Sequence, residues 1–117
     1  MAARVDLHVP SHIQSAVTNG QVLVGEIIEL SGAVAVSIQV TCTNGASGSL
    51  IVLGSNQLGK GSANVQTATQ TVGVNQSLVL TNSLVDDVTG MHVMKCQFTA
   101  TAAGNVQVSV NVRRTDY

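Results

Sequence analysis

Apolar and polar residues alternate strictly over three long stretches of this chain. From Ala33 to Thr43, one side carries Val34, Val36, Ile38, Val40 and Cys42, and the other carries Ala35, Ser37, Gln39 and Thr41. From Asn105 to Arg113, Val106, Val108, Val110 and Val112 face away from Gln107, Ser109, Asn111 and Arg113. From His92 to Ala100, His92, Met94, Cys96, Phe98 and Ala100 oppose Val93, Lys95, Gln97 and Thr99. A period of two is the pattern of a strand with one buried and one solvated face. All three stretches are therefore predicted as strands, with His92 on the core side.

Shorter segments extend the pattern. Residues 3–9 alternate until Pro10, which has no N–H to donate to a ladder and is expected to end the pairing. Residues 21–30 are rich in Val, Ile and Leu, and Gly25 interrupts them as a bulge would. Residues 49–53 are apolar on both sides, which predicts a strand covered on both faces. Residues 65–74 read as a Thr/Gln/Val strand, and 77–81 as another short one. The span Asn75–Thr89 also fits a helix, with Leu80, Leu84 and Val88 four apart, although its β-branched residues weaken that fit. Turn signals fall between the segments at Asn19-Gly20, Asn44-Gly45, 54–61 and Ala103-Gly104-Asn105. The expectation is an all-β chain forming a single antiparallel β-sandwich of roughly seven to nine strands. Residues 1–15 are read as an N-terminal arm or edge strand, and 16–117 as the sandwich domain.

Cys42 and Cys96 both fall on apolar strand faces, 54 residues apart, where strands of opposing sheets bring such positions together. Around them the sequence resembles an immunoglobulin-like domain over residues 21–114. Ser37-Ile38-Gln39-Val40-Thr41-Cys42 is similar to the second strand of that fold, and Ser77 to Asn82 to its fifth. Cys96 to Gly104 followed by Val106 to Val112 is similar to its last hairpin. The chain departs from the family in three places. The core Trp is absent, with Leu53 near its place; Met94 replaces the Tyr two residues before the second Cys; and Asp87 and Gly90 lie too far upstream. The topology thus stays open between immunoglobulin-like and jelly roll. The N-terminus lacks the basic-then-apolar pattern of a secretory signal. Without export, two reduced thiols acting as small core hydrophobes are favoured over a disulfide.

Composition removes several functions. Charged residues make up only 9% of the chain, and five Lys/Arg against six Asp/Glu leave a net charge of −1. Such a chain has no basic stripe for phosphates, which argues against nucleic acid as a partner. One Phe, one Tyr and no Trp leave no stacking platform for bases or sugar rings. No window of roughly 18 apolar residues spans a bilayer, so no membrane partner is expected.

Candidate chemistry is sparse. Gly54 to Lys60 has the spacing of a phosphate-binding loop, but Gly61 stands where Ser or Thr must hold magnesium, and 63–74 reads as strand rather than helix. His8 and His12 are four apart, but Pro10 removes the helix that would align them. Asp86-Asp87 lacks calcium-loop spacing. Asn75-Gln76-Ser77 is a glycosylation sequon in form, and Arg113-Arg114 are two charges that do not make a patch. No Ser or Cys is paired with a His and an acid in a recognisable motif. The sequence calls for no enzyme, no cofactor and no metal.

The polar faces are built from Ser, Thr, Asn, Gln and Ala, and the strand at 63–74 has neither charge nor Pro. Soluble monomers keep apart by charge, and sheets guard their edges with Lys or Pro. With 44% apolar residues, part of this surface is expected to be covered by another chain. In these features the chain resembles small all-β bacteriophage virion proteins of the capsid decoration (cement) type, which often form trimers. The resemblance implies a homo-oligomer made in the host cytoplasm without a signal peptide. It would bind the major capsid protein or other virion subunits on the outside of the shell. Val9, Pro10, Ser11 and His12 would then belong to an arm contacting a neighbour. A self-assembling coat protein is the alternative, since Val40-Thr41-Cys42 and Thr67 to Gly73 are similar to strands of small RNA-phage coats. An adhesion or receptor-binding module using loops 54–62 and 82–90 is a third.

Overall fold

In the computed structural model, which describes residues 3–30, 33–56, 65–80 and 91–116, the alternating segments become ladders. The strands are β1 (Ala3–Val17), β2 (Val22–Val24), β3 (Ile28–Glu29), β4 (Ala33–Thr43), β5 (Ser47–Ser55), β6 (Val65–Val72), β7 (Ser77–Leu80), β8 (Val93–Ala102) and β9 (Gly104–Asp116). One sheet has the order β1-β9-β4-β7; the other has β2-β8-β5-β6, with β3 also on β8. Every pairing is antiparallel. The chain is thus an all-β sandwich, as its periodicity predicts.

The strand order is that of a jelly roll, with β2 and β3 together filling one place beside β8. The last two strands, which the immunoglobulin-like resemblance joins as a hairpin, enter opposite sheets. Only Ala103 separates them. Gly104 permits the corner: a Cβ there would stand 2.4 Å from the Ala46 backbone nitrogen and 2.5 Å from the Thr43 carbonyl oxygen. Nearby, the turns joining β4 to β5 and β6 to β7 clasp each other. The Gly45 N–H donates to Asn75 Oδ1 (2.8 Å), the Asn75 N–H to the Ala46 carbonyl (3.2 Å) and the Cys42 N–H to the Gln76 carbonyl (2.9 Å). Asn44 and Asn75 both have φ of 55°, a region that Asn tolerates better than most residues.

The core lies between the inner faces. Val36, Ile38, Val40 and Cys42 of β4 and Val106 to Val112 of β9 supply one side; Leu50, Val52, Met94, Cys96, Phe98 and Ala100 supply the other. Most of these side chains are small and β-branched, and such residues suit a pleated surface. Phe98 is the exception. It is fully buried against Gly48, where a Cβ would lie 2.5 Å from the ring. Cys42 and Cys96 are buried free thiols, one in each sheet.

Several local expectations are corrected. Pro10 does not end the first strand, because β1 shifts register between Val9 and Ile13 and then runs on to Val17. Val34 leaves the core face and is 59% exposed, since β4 slips against β9 between Ala33 and Ala35. His92 is exposed rather than interior. It precedes β8 and is held through its backbone, its N–H donating to the Ser55 carbonyl while its own carbonyl accepts from the Leu30 N–H. The strand at 49–53 is covered on one face only: Leu50 and Val52 are buried, and Ile51 and Leu53 are half-buried on the outside. Of the span that also fits a helix, 77–80 is strand and 81–90 lies outside the described residues.

Two outcomes follow from this core. Truncating its one aromatic, Phe98→Ala, should cost about 3–5 kcal/mol, read from the shift in urea midpoint. Burial pushes the Cys96 thiol up to about 12 and raises that of Cys42. A thiol reagent at neutral pH should therefore modify neither cysteine in the native protein and both in denaturant. Rapid native labelling would contradict the packing described.

Candidate functional site

The one buried imidazole of the described residues arises from the irregularity in β1. Val9 pairs with Val110 and Ile13 with Val108, so Pro10, Ser11 and His12 together oppose Ser109. Pro10 needs no ladder bond, and its carbonyl accepts from Gln107 Nε2 (3.1 Å). The Ser11 hydroxyl donates to Gln14 Oε1 (2.7 Å). The extra residues rotate His12 inward beside Ile13, and both are buried.

His12 then reaches the opposite sheet. The Cys96 N–H donates to His12 Nε2 at 2.9 Å. That N–H is free because the strand beside β8 is interrupted between Val24 and Ile28. Gly25 bonds to β8 through its own N–H, which donates to the Cys96 carbonyl (3.0 Å). Any side chain at Gly25 would collide with the ring, since a Cβ there would lie 2.3 Å from His12 Cε1 and Nε2. Because Nε2 accepts, the neutral ring carries its proton on Nδ1. Burial pushes the His12 pKa down to about 4.

Outside this contact lies a groove of about 510 Å³ between β1 and the β2–β3 segment. Leu7, Val9, Ile27 and Ile28 give it apolar walls, with Glu26, Glu29 and Arg114 at its polar end. Arg114 donates through Nη2 to the Glu29 carbonyl, and its Nε is buried without a partner. On the outer face of the β1-β9-β4-β7 sheet are two shallow depressions, of about 390 and 260 Å³. Their linings include Gln14, Gln39, Thr41, Thr43, Asn105, Gln107 and Ser109. These linings are mostly uncharged amides and hydroxyls, with His8, Pro10 and Ala16 among them.

The residues singled out in the sequence are dispersed. Val9 is half-buried and lines the groove, Pro10 and Ser11 are exposed, and His12 faces inward. His8 is exposed on the outer face, so the bulge sends the two histidines of β1 in different directions. Arg113 is exposed, and Arg114 turns into the groove. Asn75 uses its carboxamide oxygen to hold the neighbouring turn. Among the described residues, no three His, Cys, Asp or Glu side chains gather as a metal site. Most of the Gly54–Lys60 spacing, the Asp86-Asp87 pair and most of loops 54–62 and 82–90 lie outside the described residues. Sequence reasoning missed His12 as an interior acceptor. The available signal was Pro10-Ser11-His12 standing between the apolar Val9 and Ile13, with a lone Gly25 in another strand.

Neither the family models nor the curated proteins give a match to this sequence. Solved structures do resemble the fold. The SPBc2 prophage-derived protein YomS matches with a TM-score of 0.50 at 12% identity, over 97% of this chain and 95% of its own. A chain of rhinovirus-B5 matches with a TM-score of 0.50 at 11% identity, over 94% of this chain and 72% of its own. A chain of infectious bursal disease virus, Gx strain, gives 0.49 at 10% identity, over 97% and 32%. At these identities the likeness is one of fold.

The buried imidazole makes stability depend on pH with a definite sign. Unfolded, His12 titrates near 6.5; folded, it stays neutral down to about 4. The unfolded chain therefore binds more protons between these values. Its contribution is fully present above pH 6.5 and is lost as pH falls toward 4, by about 3 kcal/mol in all. His12→Gln keeps an acceptor but does not titrate. Urea midpoints at pH 7 and pH 4.5 should converge in this variant relative to the parent protein.

Proposed function

We propose that this chain is a virion structural protein without enzymatic activity. More finely, it is a capsid decoration protein that self-associates and binds the outer surface of an assembled shell. One observation carries the reading: the outward face of the β1-β9-β4-β7 sheet is dominated by uncharged amide and hydroxyl side chains, with the exposed Val79 among them. From β1 across to β7, register rows run Gln14, Gln107, Thr41, Ser77 and, one step along, Ser109, Gln39, Val79. The hydroxyl side chains lose little rotamer entropy when covered, and amides and hydroxyls together suit broad, partly wet contacts. Many copies multiply a modest contact into a stabilised shell. The jelly roll supplies a stiff body, and the fold likeness to a prophage-derived protein and to a rhinovirus-B5 chain supports a place in a virus particle. Exposed Pro10 and Ser11 on the β1 bulge are contact residues in this reading.

The likeness to rhinovirus-B5, across 94% of the chain, favours one second reading: a coat protein that builds the shell itself. Expression of the protein alone separates the two. A decoration protein should remain a small oligomer by sedimentation and pellet only when mixed with preassembled phage shells. Closed particles in negative stain would instead establish the coat. A chain that neither assembles nor binds shells would end the virion reading.

A further inference from the structure

Each sheet of this sandwich has two edges, and the four are not equally protected. The β1 edge carries Pro10 and is bent by the bulge at 10–12. The β2–β3 edge is broken between Val24 and Ile28 and carries Glu26 and Glu29. The β7 edge is four residues long among the described residues. Short strands, charge, Pro and bulges are the devices by which sheets avoid pairing with other chains. The fourth edge, β6, runs for eight residues as Val-Gln-Thr-Ala-Thr-Gln-Thr-Val, without a charge or a Pro. Its register on β5 shifts once, between Val52 and Leu53, and is then continuous from Ala68 to Val72. Among the described strands nothing pairs with its far side.

Exposed apolar side chains occur on β2, as Val22 and Val24, and also on β6, β7 and the turn between them. Three of the six large exposed hydrophobics are Val65 on β6, Val79 on β7 and Val74 in the turn between them, at 52%, 59% and 63% exposure. We propose that β6 is a self-association edge that pairs antiparallel with β6 of a second copy across a two-fold axis. The occupant is a second copy because an uncharged strand offers no charge pattern for a different partner to complement. An identical strand brings matching length, and Thr, Gln, Ala and Val face one another in any antiparallel register. Two five-stranded sheets thereby become one continuous sheet. The inference deepens the self-association in the proposed function and rests on that reading for its purpose.

The test compares three proteins by sedimentation velocity at tens of micromolar. Wild type should sediment as a dimer, twice the 12.0 kDa chain. Thr69→Lys with Thr71→Lys places like charges on both partner strands and should raise the dissociation constant ~10-fold or more. Val22→Lys with Val24→Lys, on the opposite edge of the same sheet, should leave the dimer intact. A monomeric wild type, a dimer that survives the β6 substitutions, or equal loss in both variants would each overturn the proposal. Deuterium exchange gives an independent readout: amides of 66–72 should slow with protein concentration while those of 22–24 do not, and parallel behaviour would count against it. Shell binding by the β6 variant is scored separately. A monomer that still binds shells keeps the virion reading, whereas a dimer that binds none loses that reading and keeps this one.

Discussion

The architecture depends on how abruptly the chain passes from one sheet to the other. Between β8 and β9 the crossing takes a single residue, and it brings Gly104 so close to Thr43 and Ala46 that no side chain fits there. At the same end, Asn44 and Asn75 take left-handed conformations and tie the β4–β5 and β6–β7 turns together. With these corners fixed, β8 and β9 must present their apolar residues toward each other across the interior. The strict alternation of both strands is what that geometry demands. A shift of one residue in either would turn Phe98 or the valine ladder of β9 outward.

This constraint explains what could be read from the sequence. Regions buried on one face and solvated on the other wrote their register into the residue pattern: the boundaries of β4 coincide with the alternating stretch, and Val106 to Val112 are buried as a set. Topology was less legible, because the β8–β9 stretch looks the same whether its two strands share a sheet or divide between two. Only the close approach at Gly104 separates the cases, and that contact is with residues some sixty positions away. The failures at Val34, Pro10 and His92 share one cause. Each lies where a register shift or strand terminus breaks the period, and periodicity carries no information there.

The candidate site was legible only in fragments. His12, Gly25 and Cys96 come from three separate segments, and their arrangement is a hydrogen-bond accounting problem. An interruption in one edge strand leaves a backbone donor on β8, and a bulge in another strand delivers the acceptor. Buried backbone N–H groups rarely go unpaired. Here a side chain replaces a missing strand residue and ties β1 of one sheet to β8 of the other. The amide and hydroxyl face, by contrast, was visible in composition from the start, since scarcity of charge is a property of the whole chain.

The pairing of β1 with β9 places Ala3 opposite Asp116. Polypeptides appended at residue 3 and at residue 116 would therefore emerge as neighbours from one pole, leaving the clasped turns at the other pole clear. The same geometry makes the molecule a two-ended mount, able to carry a paired cargo at a fixed small separation.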